Sequence, residues 1–130
     1  MLFIDSSYII ALMNKKAKKH KEAKQINELI KKEYTTINST VLIEILNNLT
    51  KKRYELLRDD IINILYNMNK IVYLTPKDYD KALHICKDYN FAINYSDCTI
   101  LKTMIDYNIN TIVSFNRDFD KIKEINRFYL

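Results

Sequence analysis

Acidic residues follow two of the apolar runs in this 130-residue chain, where they could bind a cation or cap a helix. Asp5 directly follows the apolar run 2–4 and precedes two serines, and Asp118 and Asp120 follow the run 111–115. Each of the three is an ordinary helix cap if taken alone, because Asp before a helix accepts backbone N–H bonds. Their common position after apolar runs raises the alternative that they form parts of one site.

Two further acids lie within predicted helices. Asp97 falls in the first turn of its helix and begins the apolar stripe formed by Ile100, Leu101, Met104 and Ile105. A buried carboxylate without donors or a cation is costly, so this position needs a partner, although the helix dipole also favours an acid there. Glu44 falls off the apolar stripe of its helix, and periodicity alone predicts that it faces solvent.

Apolar runs and helical patterns alternate along the chain. Strands are predicted over 2–4, 34–38, 70–74 and 111–115, with a possible fifth over 127–130; helices are predicted over 6–13, 15–33, 39–49, 54–68, 76–90 and 95–107. This alternation predicts a parallel sheet covered on both faces, formed by one domain over residues 1–130. Ligands of such sheets bind beyond the carboxyl ends of the strands, which is where the acids lie.

The composition excludes several classes of protein. The chain has no glycine, so it lacks the phosphate-binding loop, the dinucleotide-binding turn and the nucleophile elbow, all of which need glycine. Turns must use other residues, and Asn90 and Asn108 lie where helices should stop. Cys86 and Cys98 are predicted to be buried thiols, and with only two histidines a zinc site is not expected.

The net charge of the chain indicates the type of partner it binds, and its hydropathy indicates where in the cell it is located. A net charge of +5 suggests an anionic partner such as nucleic acid or an acidic protein. The N-terminus lacks the basic region and cleavage site of a signal peptide, and no apolar run is long enough to span a membrane. The sequence therefore predicts a soluble protein of the cytoplasm.

Four short stretches, taken in order and at their spacing, resemble the PIN-domain ribonucleases, and specifically the VapC-like toxins of toxin–antitoxin pairs. They are FIDSSYIIAL, INSTVLIEIL, YSDCTIL and IVSFNRDFDKI. The resemblance covers nearly the whole chain and implies a three-layer α/β/α sandwich around a parallel sheet of four or five strands. It also implies an endoribonuclease whose acids bind Mg²⁺ or Mn²⁺, with RNA, an antitoxin and a second copy of the chain as partners.

The resemblance assigns a metal-binding and catalytic role to Asp5, Glu44 and Asp97. The fourth acid departs from the pattern T-x-D-x-x-F of many members, since Ser114 stands for the Thr and Asn116 for the Asp. Other members have T-x-N with an Asp directly before the Phe, and Asp118 stands in that place. Asp118 is therefore expected as the fourth acid, and Asn116, Ser7 and Ser114 as supporting residues.

The basic stretch 15–21 is either a solvated helix start or a contact for an RNA backbone. Lys18, Lys19, Arg53 and Arg117 are the candidate RNA-binding residues, and Arg117 adjoins the predicted acids. Two other functions compete with a nuclease. The first is a PIN-like module that binds RNA or protein with weakened catalysis, which Asn116 favours. The second is a receiver-like phosphoryl-transfer domain, which lacks support because Asp5 has no acidic neighbour.

Overall fold

A central sheet of five parallel strands organises the protein, in a computed structural model that describes all residues from Met1 to Leu130. The strands are β1 (Leu2–Ile4), β2 (Thr35–Asn38), β3 (Lys70–Val72), β4 (Thr111–Val113) and β5 (Asn126–Phe128), in the order β3-β2-β1-β4-β5. Every neighbouring pair is parallel. The predicted parallel sheet is confirmed, with the possible fifth strand present.

Six α-helices flank the sheet: α1 (Ser6–Met13), α2 (His20–Ile30), α3 (Ser39–Asn48), α4 (Arg58–Tyr66), α5 (Pro76–Asp88) and α6 (Tyr95–Asp106). The helix predicted over 15–33 is wrong at its start, because residues 15–19 form turns and supply little apolar surface to pack. The helix predicted over 54–68 is wrong at its start, because residues 54–57 belong to a 3₁₀ helix at Lys52–Leu57 that precedes α4. A second 3₁₀ helix, Arg117–Lys121, follows β4.

Asparagine residues end two of the helices and cap the start of a third. Asn90 and Asn108 adopt the left-handed φ values of 53° and 54° after α5 and α6, as predicted for residues that stop helices. The cap of α3 is Asn38, whose side chain accepts from the Val41 amide. These substitutions let a chain without glycine turn sharply.

One cluster of 29 buried apolar residues forms the core, and both cysteines lie in it as free thiols. Helix α3 packs against α1 on one side and α6 on the other, so more than one face of it is covered. None of the helices combines the length and the apolar character that crossing a lipid bilayer requires. Because α3 contacts both α1 and α6, residues of α3 that lie outside its apolar stripe can also be buried between helices.

Candidate metal and active site

The order of strands reverses next to β1, which lies between β2 and β4. The β2 and β3 connections run to one side of β1, and the β4 and β5 connections run to the other, so a crevice forms where β1 and β4 end. Asp5 follows β1 there, and its amide bonds the carbonyl of Val113 at 3.1 Å. Ser114 and Asn116 follow β4 at the same edge.

Two serine hydroxyls hold the carboxylate of Asp5. Ser7 Oγ donates to Asp5 Oδ2 at 2.8 Å, and Ser114 Oγ donates to the same oxygen at 2.6 Å. Each hydroxyl also accepts a backbone amide, from Phe115 to Ser7 at 3.0 Å and from Asn116 to Ser114 at 2.9 Å. Asp5 is only 4% exposed, and its side chain makes no helix-capping bond. The ordinary capping interpretation therefore fails for Asp5, and the two serines orient its carboxylate.

Asp97 is buried in the first turn of α6, as its place in the apolar stripe predicts. Its amide donates to the cap residue Asn94 at 2.9 Å, and its carboxylate accepts one bond, from Asn116 Nδ2 at 3.4 Å. Burial raises the pKa of Asp97 to about 6, with further increases from the charges of Asp5 and Asp118. A single long bond from an amide does not compensate a buried carboxylate, so Asp97 needs a further partner.

Glu44 does not face solvent, and the prediction from periodicity is wrong. Its side chain lies half-buried where α3 meets α1 and α6, and Glu44 Oε1 is buried without a hydrogen-bond partner. Burial raises the pKa of Glu44 to about 7, with further increases from Asp5 and then Asp97. A helix packed on two sides has buried positions that a single apolar stripe does not reveal. Glu44 thus joins the other two acids.

Asn116 connects the end of β4 to the acids. Its Oδ1 accepts the Asp118 amide at 3.0 Å and so caps the second 3₁₀ helix, while its Nδ2 contacts Asp97. The cap is Asn116, so neither Asp118 nor Asp120 serves the ordinary capping role. Asp118 is half-exposed and pairs with Lys121 at 3.1 Å. Its charge acts on Asp97.

Asp120 points away from these residues. The Arg127 guanidinium forms a bidentate pair with Asp120: Nε donates to Oδ1 at 2.9 Å, and a terminal nitrogen donates to Oδ2 at 3.0 Å. Arg127 also donates to the carbonyl of Ser114 at 3.2 Å, which joins β5 to the end of β4. Of the two acids after β4, only Asp118 contributes to the raised pKa of Asp97. We call Asp5, Glu44, Asp97 and Asp118 the acidic cluster.

A chain of hydroxyls that periodicity does not reveal joins the helices that carry Glu44 and Asp97. Thr99 Oγ1 donates to the carbonyl of Ser96 at 2.6 Å, so Thr40 is the donor in its 2.5 Å contact with Thr99 Oγ1. Thr40 lies one turn before Glu44, and Ser96 directly precedes Asp97. The only sequence feature that indicates this chain of hydroxyls is Thr40, four residues before Glu44.

The candidate RNA-binding residues fall into two regions. Arg117 is exposed on the second 3₁₀ helix, next to Asp118. Lys18 and Lys19 are exposed on the turn between α1 and α2, and Arg53 lies on the first 3₁₀ helix with its guanidinium over the Tyr54 ring. These two segments meet, since Asn14 donates to the Tyr54 hydroxyl at 3.4 Å. Only Arg117 adjoins the acidic cluster in sequence.

The acidic cluster offers carboxylate oxygens, which are the hard ligands that Mg²⁺ prefers. No three of the His, Cys, Asp and Glu side chains stand close enough together to enclose a metal ion by themselves. Mg²⁺ usually takes one or two carboxylates from a protein and keeps several waters, so a looser arrangement of oxygen donors suits it. The buried and unpartnered Glu44 Oε1 is the observation that favours a cation here.

The chain belongs to the PIN domain family, whose model matches residues 2–125. No curated protein matches it. Among solved structures, VapC20 from Mycobacterium tuberculosis, a toxin that cleaves the sarcin-ricin loop, superposes with a TM-score of 0.85 at 17% identity, with each chain covered completely.

Two other solved structures have the same fold. VapBC2 from Rickettsia felis, bound to a DNA fragment from its promoter, gives a TM-score of 0.74 at 19% identity, with each chain covered completely. FitAcB from Neisseria gonorrhoeae gives 0.77 at 13% identity, covering 98% of this chain and 96% of that one. At these identities the likeness establishes a common PIN fold, and the predicted three-layer architecture is confirmed.

Proposed function

We propose that this protein is a metal-dependent endoribonuclease that hydrolyses phosphodiester bonds of RNA at the acidic cluster. The observation that carries the proposal is the unpartnered, buried oxygen of Glu44 between two other acids at the switch point of a PIN-domain sheet. Acids whose pKa is raised by neighbouring carboxylates, as for Glu44 and Asp97, gain most from a nearby cation, and a hard oxygen set selects Mg²⁺ or Mn²⁺.

Each acid has its own part in the proposed site. Asp5 is the most firmly oriented, because two serine hydroxyls fix one oxygen and leave Oδ1 for the cation. Asp97 is the second direct ligand, and Glu44 acts on the cation directly or through water. Asp118 completes the set from the more exposed side, with Asn116 as a neutral donor between it and Asp97.

A cation bound there supplies an activated water nucleophile and neutralises charge on the phosphate. The residues of the chain provide the rest. Ser7 and Ser114 keep the Asp5 carboxylate in one orientation, and the burial of Asp97 limits the access of bulk water to the cluster. Arg117 and, further away, Lys18, Lys19 and Arg53 attract the RNA backbone through charge, which makes binding sensitive to salt.

Cleavage of single-stranded RNA with Mg²⁺ or Mn²⁺, compared with EDTA, tests the proposal. Wild-type protein should cleave only with the cation, and Asp5→Asn and Asp97→Asn should each abolish the activity. Cleavage that persists in EDTA and in both variants would refute a metal nuclease and would point to a contaminating enzyme or another site.

A second candidate function is a PIN-like module that binds RNA or protein with weakened catalysis. The observation that favours it is Asn116, a neutral residue whose amide contacts Asp97 where many PIN domains carry an acid. This function predicts RNA binding without cleavage at any concentration of Mn²⁺. A single turnover assay with excess enzyme separates a slow nuclease from a protein that only binds.

We further propose that the nuclease is the toxin of a toxin–antitoxin pair, acts as a homodimer and works in the cytoplasm. The support is the likeness of fold to VapC20, VapBC2 and FitAcB. Induced expression should arrest growth, and Asp5→Asn should relieve the arrest. Sedimentation velocity tests the dimer, and rescue by a neighbouring small open reading frame tests the antitoxin.

A further inference from the structure

Helices α5 and α6 end with the same hydrogen-bonded motif. Each is followed by an asparagine in the left-handed region, Asn90 with φ 53° and Asn108 with φ 54°. In each, the amide of the next residue bonds a carbonyl five positions back, at 2.9 Å for Phe91 and at 2.8 Å for Ile109. Since the motif usually places an apolar residue at this next position against the helix, Phe91 and Ile109 are directly comparable.

The two residues differ in burial and in backbone conformation. Ile109 is only 4% exposed, whereas the side chain of Phe91 is 64% exposed. Phe91 itself has a φ of 57°, a left-handed value that is strained for a bulky residue, and Ile109 does not. Folding gains little from this aromatic ring, because glycine would relieve the strain and lose little packing.

The loop that carries the exposed ring is tied to the acidic cluster on both sides. Lys121 Nζ donates to the carbonyl of Ala92 at 3.1 Å, and the same nitrogen pairs with Asp118 at 3.1 Å. Two residues further on, Asn94 caps the amide of Asp97 at 2.9 Å. One ammonium group thus separates the loop backbone from an acid of the cluster.

A second aromatic residue, Tyr95, directly follows the cap residue Asn94. Tyr95 is 40% exposed, its hydroxyl donates to the carbonyl of Tyr79 at 2.8 Å, and the two rings stack with centroids 6.5 Å apart. The bond and the stacking hold Tyr95 in place at the first residue of α6, two residues before Asp97 in the sequence. We call Phe91 and Tyr95 the aromatic rim.

We infer that the aromatic rim, with Phe91 as its main contact, binds an unpaired nucleobase of the RNA next to the phosphate held at the acidic cluster. This inference rests on the proposed function. A polymer with one phosphate at the cluster must pass over the adjoining surface, and the rim offers its neighbouring base a ring to stack on. Single-stranded bases stack on aromatic side chains, whereas bases in a duplex are already stacked and paired.

Phe91→Gly tests the inference, because glycine accepts the left-handed φ without strain. Binding of short single-stranded oligoribonucleotides is measured by fluorescence anisotropy with the acidic cluster intact, with Ca²⁺ in place of Mn²⁺ to limit cleavage. We expect affinity to fall about 5- to 100-fold, the range for loss of one stacked base, while the unfolding midpoint stays equal or rises. Tyr66→Ala is the matched control, since Tyr66 is 54% exposed at the end of α4, which leads to the opposite edge of the sheet.

Oligonucleotides that each lack one base identify the contact. The effect of Phe91→Gly should disappear on the one oligonucleotide whose abasic position meets the rim, and it should persist on the others. An equal loss on every oligonucleotide would mean that the residue does not stack on a base, and would overturn the inference.

Three outcomes separate this inference from the proposed function. If Phe91→Gly binds and cleaves RNA like wild type while Asp5→Asn does not cleave, the rim has no role and the nuclease stands. If wild-type protein neither binds nor cleaves single-stranded RNA, the proposed function itself fails. If Phe91→Gly converts a dimer into a monomer in sedimentation velocity, a second copy covers the rim and the inference is wrong.

Discussion

Helix α6 carries two charged clusters, and they differ in how their charges are compensated. Towards the end of the helix, Lys102 pairs with Asp78 at 3.5 Å and with Asp106, and its side chain is 8% exposed. At the start of the helix, Asp97 faces the charge of Asp5 and has no basic partner of this kind. Each cluster combines a buried charged residue with more exposed ones, so the difference lies in what compensates the charge.

The directions of the pKa shifts express this difference. Burial by itself lowers the pKa of Lys102, but its bonds to Asp106 and Asp78 outweigh burial, and the pKa is raised. In the acidic cluster, burial and like charges act together and raise the pKa of Glu44 and Asp97. Lys102 compensates both acids of the first group, whereas in the second group Lys121 pairs with Asp118 alone. A cation from outside would favour the charged forms of Glu44 and Asp97. Compensation of charge, rather than burial, therefore distinguishes the two clusters.

The largest expected effect is the loss of cleavage when the acidic cluster is changed. Asp97→Asn and Asp5→Asn should each reduce the initial rate of RNA cleavage with Mn²⁺ by at least about 100-fold, the scale for removing a charge-stabilising group from an active site. Asp106→Asn, the matched control from the second cluster, should leave the rate within about threefold. Equal losses in all three variants would remove the functional distinction between the clusters.

The second cluster should instead determine stability. Lys102→Met leaves two carboxylates near each other without their cation, and we expect it to lower the free energy of unfolding by about 1–3 kcal/mol, less than for a fully buried pair because both acids are partly exposed. Urea denaturation at neutral pH measures the change. A neutral or stabilising effect would show that the ion pairs do not hold α5 against α6.

The two acids after β4 should differ in function. Asp118→Asn should reduce Mn²⁺-dependent cleavage about tenfold, as for other residues that support a metal site. Asp120→Asn should change it less than about threefold, because Arg127 holds Asp120 away from the site. If neither substitution changes the cleavage rate, Asn116 is the only residue after β4 that takes part in the site. A PIN-like module that binds RNA without cleaving it would then explain the protein better.

Stability without metal should depend on pH through Glu44 and Asp97. The pKa of Glu44 is raised from 4.5 to about 7, so between these values the folded protein holds a proton that the unfolded chain has released. The folded state binds more protons, and stability therefore falls as pH rises through this window. Asp97, raised from 3.8 to about 6, acts in the same direction at lower pH. Thermal unfolding in EDTA from pH 5 to 8 should show a falling midpoint, and a rising midpoint would contradict the assignment.

The sequence predicts the sheet and much of the acidic cluster because both follow from short-range patterns. Apolar runs mark the strands, and residues directly after them, such as Asp5, must lie at the carboxyl edge. Asp97 is recognisable from its place in an apolar stripe. Charge and helix propensity mislead at residues 15–19, where lysines suggest a helix that has little to pack against.

Contacts between distant elements are what the sequence does not reveal. Glu44 becomes buried because α3 packs against two helices at once, and a one-dimensional stripe describes a single buried face. Lys121 links the α5–α6 loop to Asp118 through the conformation of loops, and loops show no hydrophobic periodicity from which such a contact could be predicted. The resemblance of motifs predicted Glu44 as a site residue, whereas its periodicity pointed to solvent.

The most direct test of the account is the thermal unfolding of wild type and Glu44→Gln at pH 8, each with EDTA and with Mn²⁺. Without metal, Glu44→Gln should unfold at a higher temperature, because the neutral amide removes a buried charge that lies near two others. Mn²⁺ should stabilise wild type and stabilise Glu44→Gln less, since binding to the folded state raises its stability. A variant that is less stable in EDTA, together with no effect of Mn²⁺ on wild type, would contradict a metal site at the acidic cluster.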